Sequence, residues 1–272
     1  MSDEPQRAAN PPVGAARRRL ADGLDDLLVR EQPLLLVVHG EQLLTMRTPG
    51  RDEDLARGFV LAEGIARTAD DIVAIEARAG DGERVPDEVH VTLRERPAGL
   101  AKARLARTHE IRSSCGVCGI ADVAALLDDA PPLLPGVPRL ARSQLERLEQ
   151  QLTERQALFD ATGGCHGALL ATAAGDVVAS AEDVGRHNAL DKAIGEAAAN
   201  GAAFPQLVCM LSGRAGFDLV VKCLRVSIPV IASVSAPSVL AFDLCHDAGA
   251  TLIGFQRGAR HRVYCGADRL VD

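Results

Sequence analysis

The chain has 272 residues, enough for one large domain or two modest ones with a substantial core. Apolar residues make up 47% of it, which excludes a disordered protein, and a formal net charge of −7 argues against capture by nucleic acid or anionic membrane through overall charge. With no Trp, one Tyr and six Phe, the core must be built from Ala, Val, Leu and Ile.

Residues 1–20 read as a flexible tail, with Pro5, Pro11 and Pro12 ahead of Arg17-Arg18-Arg19 and no apolar stretch of signal-peptide type behind them. Residues 34–38 form a short apolar run, His39-Gly40-Glu41 turns the chain and residues 42–47 return it, a hairpin pattern. Residues 52–65 carry Leu55, Phe59, Val60 and Ile65 at helical spacing, with Asp52 as the expected N-cap. Residues 71–77 and 88–93 read as strands, and residues 94–114 as a loop or weak strand leading to two cysteines. An apolar helical pattern follows at Ile120, Val123, Ala124, Leu126 and Leu127, and four prolines between 131 and 138 then break the chain. A helix is predicted over 143–159, with Ser143 and Glu146 in capping-box positions.

The last hundred residues alternate. A hairpin at 167–172 and 177–180 is followed by helix 188–199, strand 207–211, helix 217–226, strand 230–233, helix 239–248 and strand 251–255. Alternation of this kind predicts an α/β fold, a largely parallel sheet flanked by helices. The expected division is a tail at 1–20, an N-terminal α+β region at 21–138 that includes the cysteine loop and its following helix, and a C-terminal α/β domain at 139–272.

Cys115-Gly116-Val117-Cys118-Gly119 holds the two cysteines that lie close together in the sequence. Its glycines allow positive φ and close approach of a partner. Position before a helix N-terminus, beside Arg107 and Arg112, favours the thiolate, the reactive form. A zinc site would need four ligands, and no second Cys/His pair at finger spacing is present. A thioredoxin-like pair would follow an apolar strand, whereas the stretch before Cys115 is charged. A flexible loop without chemistry is the bland reading. Sulfur relay fits best: one thiolate takes a sulfur atom from a donor persulfide and the second assists its release. Most of the seven cysteines lie in apolar surroundings, and no window holds the roughly 18 apolar residues of a membrane span, so a reducing, cytoplasmic setting without nucleic-acid or membrane partners is expected.

Ligands of alternating α/β sheets bind beyond the carboxyl ends of the strands. There this sequence places Ser212-Gly213-Arg214 before a helix, a phosphate-holding layout with a fixed positive charge. Ser235 and Ser238 stand before another helix, where capping is their simpler role. Residues 256–260 carry Arg257 and Arg260 on one turn. Asp183, Gly185, Arg186 and His187 form a polar cluster denser than a cap requires, in which Asp183 can accept from a guanine or ribose group and Arg186 can meet phosphate. Cys165-His166 sits on a glycine-rich turn, with His166 the more interesting of the two. Cys209, Cys223 and Cys245 read as small core hydrophobes, and Cys265 is uninformative.

These residues resemble the FdhD family of formate dehydrogenase accessory sulfurtransferases. The matches are Cys115 to Gly119, Thr162 to His166, the eleven residues Glu182 to Lys192, Ser212 to Arg214, Val234 to Pro237 and Thr251 to Phe255, in the family's order from about Pro33 onward. The resemblance implies a cytidine-deaminase-like mixed sheet with an added N-terminal domain and a homodimer. It also implies persulfide transfer from a cysteine desulfurase to the bis-molybdopterin guanine dinucleotide cofactor (Mo-bis-MGD) of formate dehydrogenase, with GDP as a mimic of that cofactor. Carried over by position, Cys115 bears the persulfide and Cys118 is the second thiol. Phe255, Gln256, Arg257, Gly258, Ala259 and Arg260 line the cofactor site, with Ser212, Gly213, Arg214, His166 and the turn from Asp183 to His187. The sequence departs from the family at Ala215-Gly216-Phe217-Asp218 and at Cys165. Two alternatives stay open. One is a cofactor-binding chaperone that carries no sulfur. The other is a zinc-dependent nucleotide deaminase, for which His39-Gly40-Glu41 supplies a nominal H-x-E but Ser114 stands where Pro is required before Cys115.

Overall fold

The computed structural model describes residues 11–81, 85–107, 127 and 130–272. Cys115, Cys118 and the helix expected after them lie outside the described residues. Among the described residues no helix is long and apolar enough to cross a membrane.

Two sheets organise the chain. Strands β3 (Gln32–Val38), β4 (Glu41–Arg47), β5 (Ile72–Arg78) and β6 (Asp87–Leu93) form a four-stranded sheet in the order β4-β3-β6-β5. Alternation puts Leu34, Leu36, Val38, Val89, Val91 and Leu93 on its buried face. Helix α1 (Asp52–Ala62) packs there through Leu55, Phe59 and Val60. Arg51, in the left-handed region, is its N-cap in place of the expected Asp52, whose carboxylate instead accepts from the fully buried Arg47 at 2.9 and 2.8 Å.

The second sheet has six strands in the order β13-β12-β11-β10-β8-β9: β8 (His166–Thr172), β9 (Val177–Asp183), β10 (Leu207–Leu211), β11 (Val230–Ser233), β12 (Thr251–Arg257) and β13 (Arg260–Cys265). Only β10, β11 and β12 run parallel, so the sheet is mixed, less parallel than the alternation predicts. Helix α3 (Arg142–Glu154) covers one face with Leu145, Leu148 and Leu152. Helices α5 (Arg186–Ala199), α6 (Phe217–Arg225) and α7 (Val239–Asp247) contribute to the core on the other side. Helix α1 lies on α5 with no room between backbones. A Cβ at Gly58 would stand 1.7 Å from the Asp191 carbonyl oxygen, and one at Gly195 would stand 1.9 Å from that of Asp54. The architecture is therefore a mixed α/β fold of several sheets with flanking helices.

Several elements differ from expectation. Residues counted as tail form β1 (Ala15–Arg19), paired with β2 (Asp25–Val29), because Ala15 and Val29 close a small cluster with Leu158 and Cys165. Residues expected to be loop form α2 (Gly99–Arg107): its Ala, Lys, Arg and Leu favour helix by propensity, and Leu105 anchors it in the core. The long helix predicted over 143–159 is two. It starts at Arg142 without a side-chain cap, stops at Arg155, and restarts as α4 (Ala157–Thr162), whose first amides at Leu158 and Phe159 donate to Glu182 at 2.9 and 2.8 Å. Strands β7 (Leu140–Ala141) and β14 (Leu270–Val271) pair in parallel, and neither these nor β13 is marked in the sequence.

A buried ionic group ties α1 to α5 and α6. Lys222 donates to Asp191 at 2.9 Å and pairs with Glu63 at 2.7 Å, and Arg225 meets Glu63 at 3.2 Å. Burial and the neighbouring Glu63 charge raise Asp191 to about 6 against the pull of Lys222. Burial also pushes Glu63 upward, but the charges of Lys222 and Arg225 outweigh it and hold this carboxyl at about 2. A carboxyl depressed on folding contributes stability that is full above its unfolded value and is lost as pH falls toward its folded one. Glu63 therefore stabilises the fold above about pH 4.5 and loses that contribution on the way to about pH 2. Glu63→Gln should be less stable than the parent near neutrality, and the gap should narrow in urea titrations at about pH 3.

Candidate functional site

Because β10, β11 and β12 are parallel, their carboxyl ends share one rim of the sheet. Antiparallel pairing brings the start of β8 and the end of β9 to the same rim: Leu211 lies opposite Ala168, and His166 opposite Asp183. Sequence segments far apart thus meet at one edge. The turns that follow the strands are latched together. The Val234 amide donates to Leu211, Ser238 to Ala215 and Phe255 to Ser235, at 3.0–3.1 Å. Ser212 is part of the latch, its hydroxyl accepting from the Gly167 amide at 2.8 Å. Ser238 caps α7 by accepting from Ala241 at 3.2 Å, the simpler of the roles considered for it.

Four cationic or imidazole side chains converge on this rim. Arg186 and His187 open α5, and both reach Asp218 in the first turn of α6. Arg186 donates from Nε at 3.2 Å and from Nη2 at 2.9 Å, and His187 Nε2 contacts the same oxygen, Oδ2. Bonds from His187 and Arg186 hold the Asp218 carboxyl far below its ordinary value although burial opposes this. The carboxylate thereby fixes two side chains that carry no bond to each other. His166 lies across Gly213, where a Cβ would come within 3.3 Å of Nδ1. Burial, then the charges of Arg186, His187 and Arg214, lower the pKa of His166. Its imidazole is thus neutral near pH 7 and can donate or accept. Arg214 is exposed and meets no carboxylate among the described residues.

Other expected site residues have different placements. Asp183, proposed as a guanine or ribose acceptor, is completely buried, and its carboxylate is occupied by Lys192 at 2.7 Å and by the Thr48 amide, the Gly185 amide and the Asn188 amide group at 2.9–3.1 Å. It positions the turn, and no lone pair is left for a ligand. Gly185 gives the helix its start, accepting from Ala189. Phe255, two strands from Arg214 or about 10 Å along the rim, has φ 53° and is 41% exposed, with the Arg262 guanidinium 5.7 Å from its ring centre. A register shift lies between Gly254 and Arg257, and residues 254–257 alternate between buried and exposed. Gln256 is completely buried, its amide donating to Gly258 at 2.7 Å, while the Gly258 amide donates to Glu149 of α3 at 2.7 Å. Gln256 and Gly258 therefore build the β12–β13 hairpin, and Arg257, Ala259 and Arg260 stand exposed at its tip. His39-Gly40-Glu41 forms the β3–β4 turn as expected.

Sequence reasoning did not single out Asp218, Thr48 or Lys192 as builders of this rim. Asp218 looks like an ordinary first-turn acid, and nothing local announces that its partners lie 31 and 32 residues away. Cys165, beside His166 at the start of β8, is buried and donates to Glu182 at 3.2 Å, and burial with the adjacent carboxylates pushes its pKa far up. It is unsuited to act as a nucleophile.

A profile of the FdhD/NarQ family matches residues 29–271. A sulfur carrier protein FdhD from Streptomyces avermitilis is 42% identical over 93% of each chain. One from Anaeromyxobacter dehalogenans strain 2CP-C is 39% identical over 99% of this chain and 98% of its own. A crystal structure described as a formate dehydrogenase accessory protein from Desulfotalea psychrophila shares the fold, with a TM-score of 0.71 at 23% identity, covering 94% of this chain and 97% of that one.

Proposed function

The chain belongs to the FdhD/NarQ family, and from that premise we propose that it is a sulfur carrier in formate dehydrogenase maturation, bearing sulfur on Cys115 and delivering it to the Mo-bis-MGD cofactor. The donor is a cysteine desulfurase. The Cys115 thiolate attacks the outer sulfur of the donor's Cys–S–SH. A new S–S bond forms on Cys115, the donor's S–S bond breaks, and the donor thiolate leaves with the electron pair. Cys118 assists the later release.

The observation that carries this reading is the convergence of His166, Arg186, His187 and Arg214 on one rim of a chain whose net charge is −7. Two helix starts, α5 and α6, add their amide ends there. Such a rim suits the pyrophosphate of a guanylated pterin. Arg214 and the free Nη1 of Arg186 would meet phosphate oxygens, neutral His166 would hydrogen-bond, and the exposed Phe255 ring would stack on a base. Arg257 and Arg260 extend the positive field along the same rim. The cofactor is cargo in this scheme and supplies the acceptor for the sulfur. The five described cysteines support Cys115 by contrast, since four are buried and Cys265 lies toward the opposite end of the sheet, beside Leu252 at the start of β12.

GDP serves as the probe. Arg214→Ala should weaken GDP binding by about 1.5–3 kcal/mol, tenfold or more, through loss of a charge-assisted contact to phosphate. Undiminished affinity in calorimetry would move the phosphate site off this rim. Incubation with a desulfurase and cysteine should add one sulfur atom to the tryptic peptide 113–139, on Cys115.

A further inference from the structure

The opposite end of the six-stranded sheet carries a cleft of about 470 Å³, lined by Leu133, Pro135, His246, Gly249, Cys265 and Asp268. Cys265 is half-buried on this cleft, and Cys245 of α7 lies completely buried behind it. Helix α7 packs on β13 with Cα atoms within 8 Å, and Ala250 touches both cysteines, its amide donating to the Cys245 carbonyl at 2.8 Å and its carbonyl accepting from Cys265 Sγ at 3.5 Å. Cys265 stands opposite Leu252 in the β12–β13 pairing. The neighbouring Cys245 thiol, then the Leu252 amide and the His246 charge, lower the Cys265 pKa against burial. The Cys265 thiol, with burial, raises that of Cys245. The accessible sulfur is thus the readier thiolate and the buried one stays protonated, the division of labour of an attacking and a resolving cysteine. The other core pair, Cys209 with Cys223, is completely buried.

We propose that Cys265 and Cys245 form a second thiol site that reacts with small hydroperoxides reaching the cleft. The Cys265 thiolate attacks the outer peroxide oxygen. An S–O bond forms, the O–O bond breaks, and hydroxide or alkoxide leaves. Cys245 then gives up its proton and attacks the sulfenic sulfur, expelling hydroxide, which takes that proton to become water. Two thiols are oxidised by two electrons to one disulfide, and the peroxide is reduced. The product would clamp α7 to the start of β12 through β13, leaving the basic rim at the other end of the sheet unchanged.

The test uses the full chain. After hydrogen peroxide, alkylation of remaining thiols and trypsin, Cys245 lies in peptide 226–257 and Cys265 in peptide 263–269. The expected product is these two peptides joined, lighter than their sum by two hydrogen atoms and separated again by dithiothreitol. GDP affinity should be the same before and after oxidation. Cys245→Ser should leave Cys265 as a sulfenic acid that dimedone labels. Should that variant misfold, Cys265→Ser provides the second arm and should leave Cys245 fully alkylatable after unfolding. Recovery of both peptides fully alkylated, under peroxide that oxidises peptide 113–139, would overturn the proposal. Cys265 joined to peptide 113–139 would overturn it equally.

Discussion

Cys115→Ala is expected to bind GDP as the parent does and to take up no labelled sulfur from a cysteine desulfurase. The two halves of this result rest on different parts of the molecule. Nucleotide binding is proposed for the basic rim of His166, Arg186, His187 and Arg214. Sulfur uptake needs an accessible thiolate, and the described cysteines offer poor substitutes. Cys165 donates a hydrogen bond to Glu182 and has its pKa pushed up, and Cys209, Cys223 and Cys245 are completely buried. Cys265 is accessible but lies away from the rim. Radiolabel transfer and peptide mass spectrometry read the outcome. Full uptake by the variant would sink the assignment of Cys115, and the labelled peptide would name its replacement. Loss of sulfur uptake also excludes the reading of a chaperone that binds cofactor and carries no sulfur, because such a protein has no uptake to lose.

Lys192→Met should cost about 3–5 kcal/mol of folding stability, a large share of the roughly 5–15 kcal/mol that holds a typical domain. Lys192 and Asp183 are 2% and 0% exposed and meet at 2.7 Å. Removing the ammonium leaves an uncompensated carboxylate in the core. It also removes the donor to the Thr48 carbonyl at 2.8 Å, one of the bonds that join the N-terminal sheet to the start of α5. Asn188 to Met46 at 2.7 Å, Val184 to Thr48 at 3.0 Å and the Thr48 amide to Asp183 at 3.1 Å are among the others. Urea denaturation measures the loss. The double variant Asp183→Asn with Lys192→Met should recover part of it, since the stranded charge is gone. A single-variant loss under about 1 kcal/mol would mean that water, and not the lysine, compensates Asp183.

This pair shows how a polar eleven-residue motif can turn few of its side chains toward a ligand. Asp183, Asn188, Asp191 and Lys192 point into the molecule, and Arg186 and His187 point to the rim. Polar density in the sequence signals a special segment without saying which of its residues are structural. A carboxylate that welds two sheets and one that binds a base look alike in one dimension.

The sequence by itself determined the elements whose local chemistry and tertiary fate agree. The strands at 207–211 and 230–233 were legible because continuous apolar runs between turn residues have nowhere to go but the middle of a sheet. The position of Ser212 to Arg214 beyond a strand end followed from the same alternation, while the CxxC spacing and the family resemblance were carried by the residue motifs themselves. Only tertiary structure decided the rest. Strand β13, reading Arg-His-Arg-Val-Tyr-Cys, is an edge strand whose polar side chains can face water, so no burial pattern marks it. Gln256 is buried where its amide bonds the Gly258 carbonyl, and Asp218 drew Arg186 and His187 together across more than thirty residues. Periodicity reports the neighbours a residue has along the chain. Charge pairing, burial of lone polar groups and the meeting of strand ends depend on neighbours brought by the fold, and these made the rim.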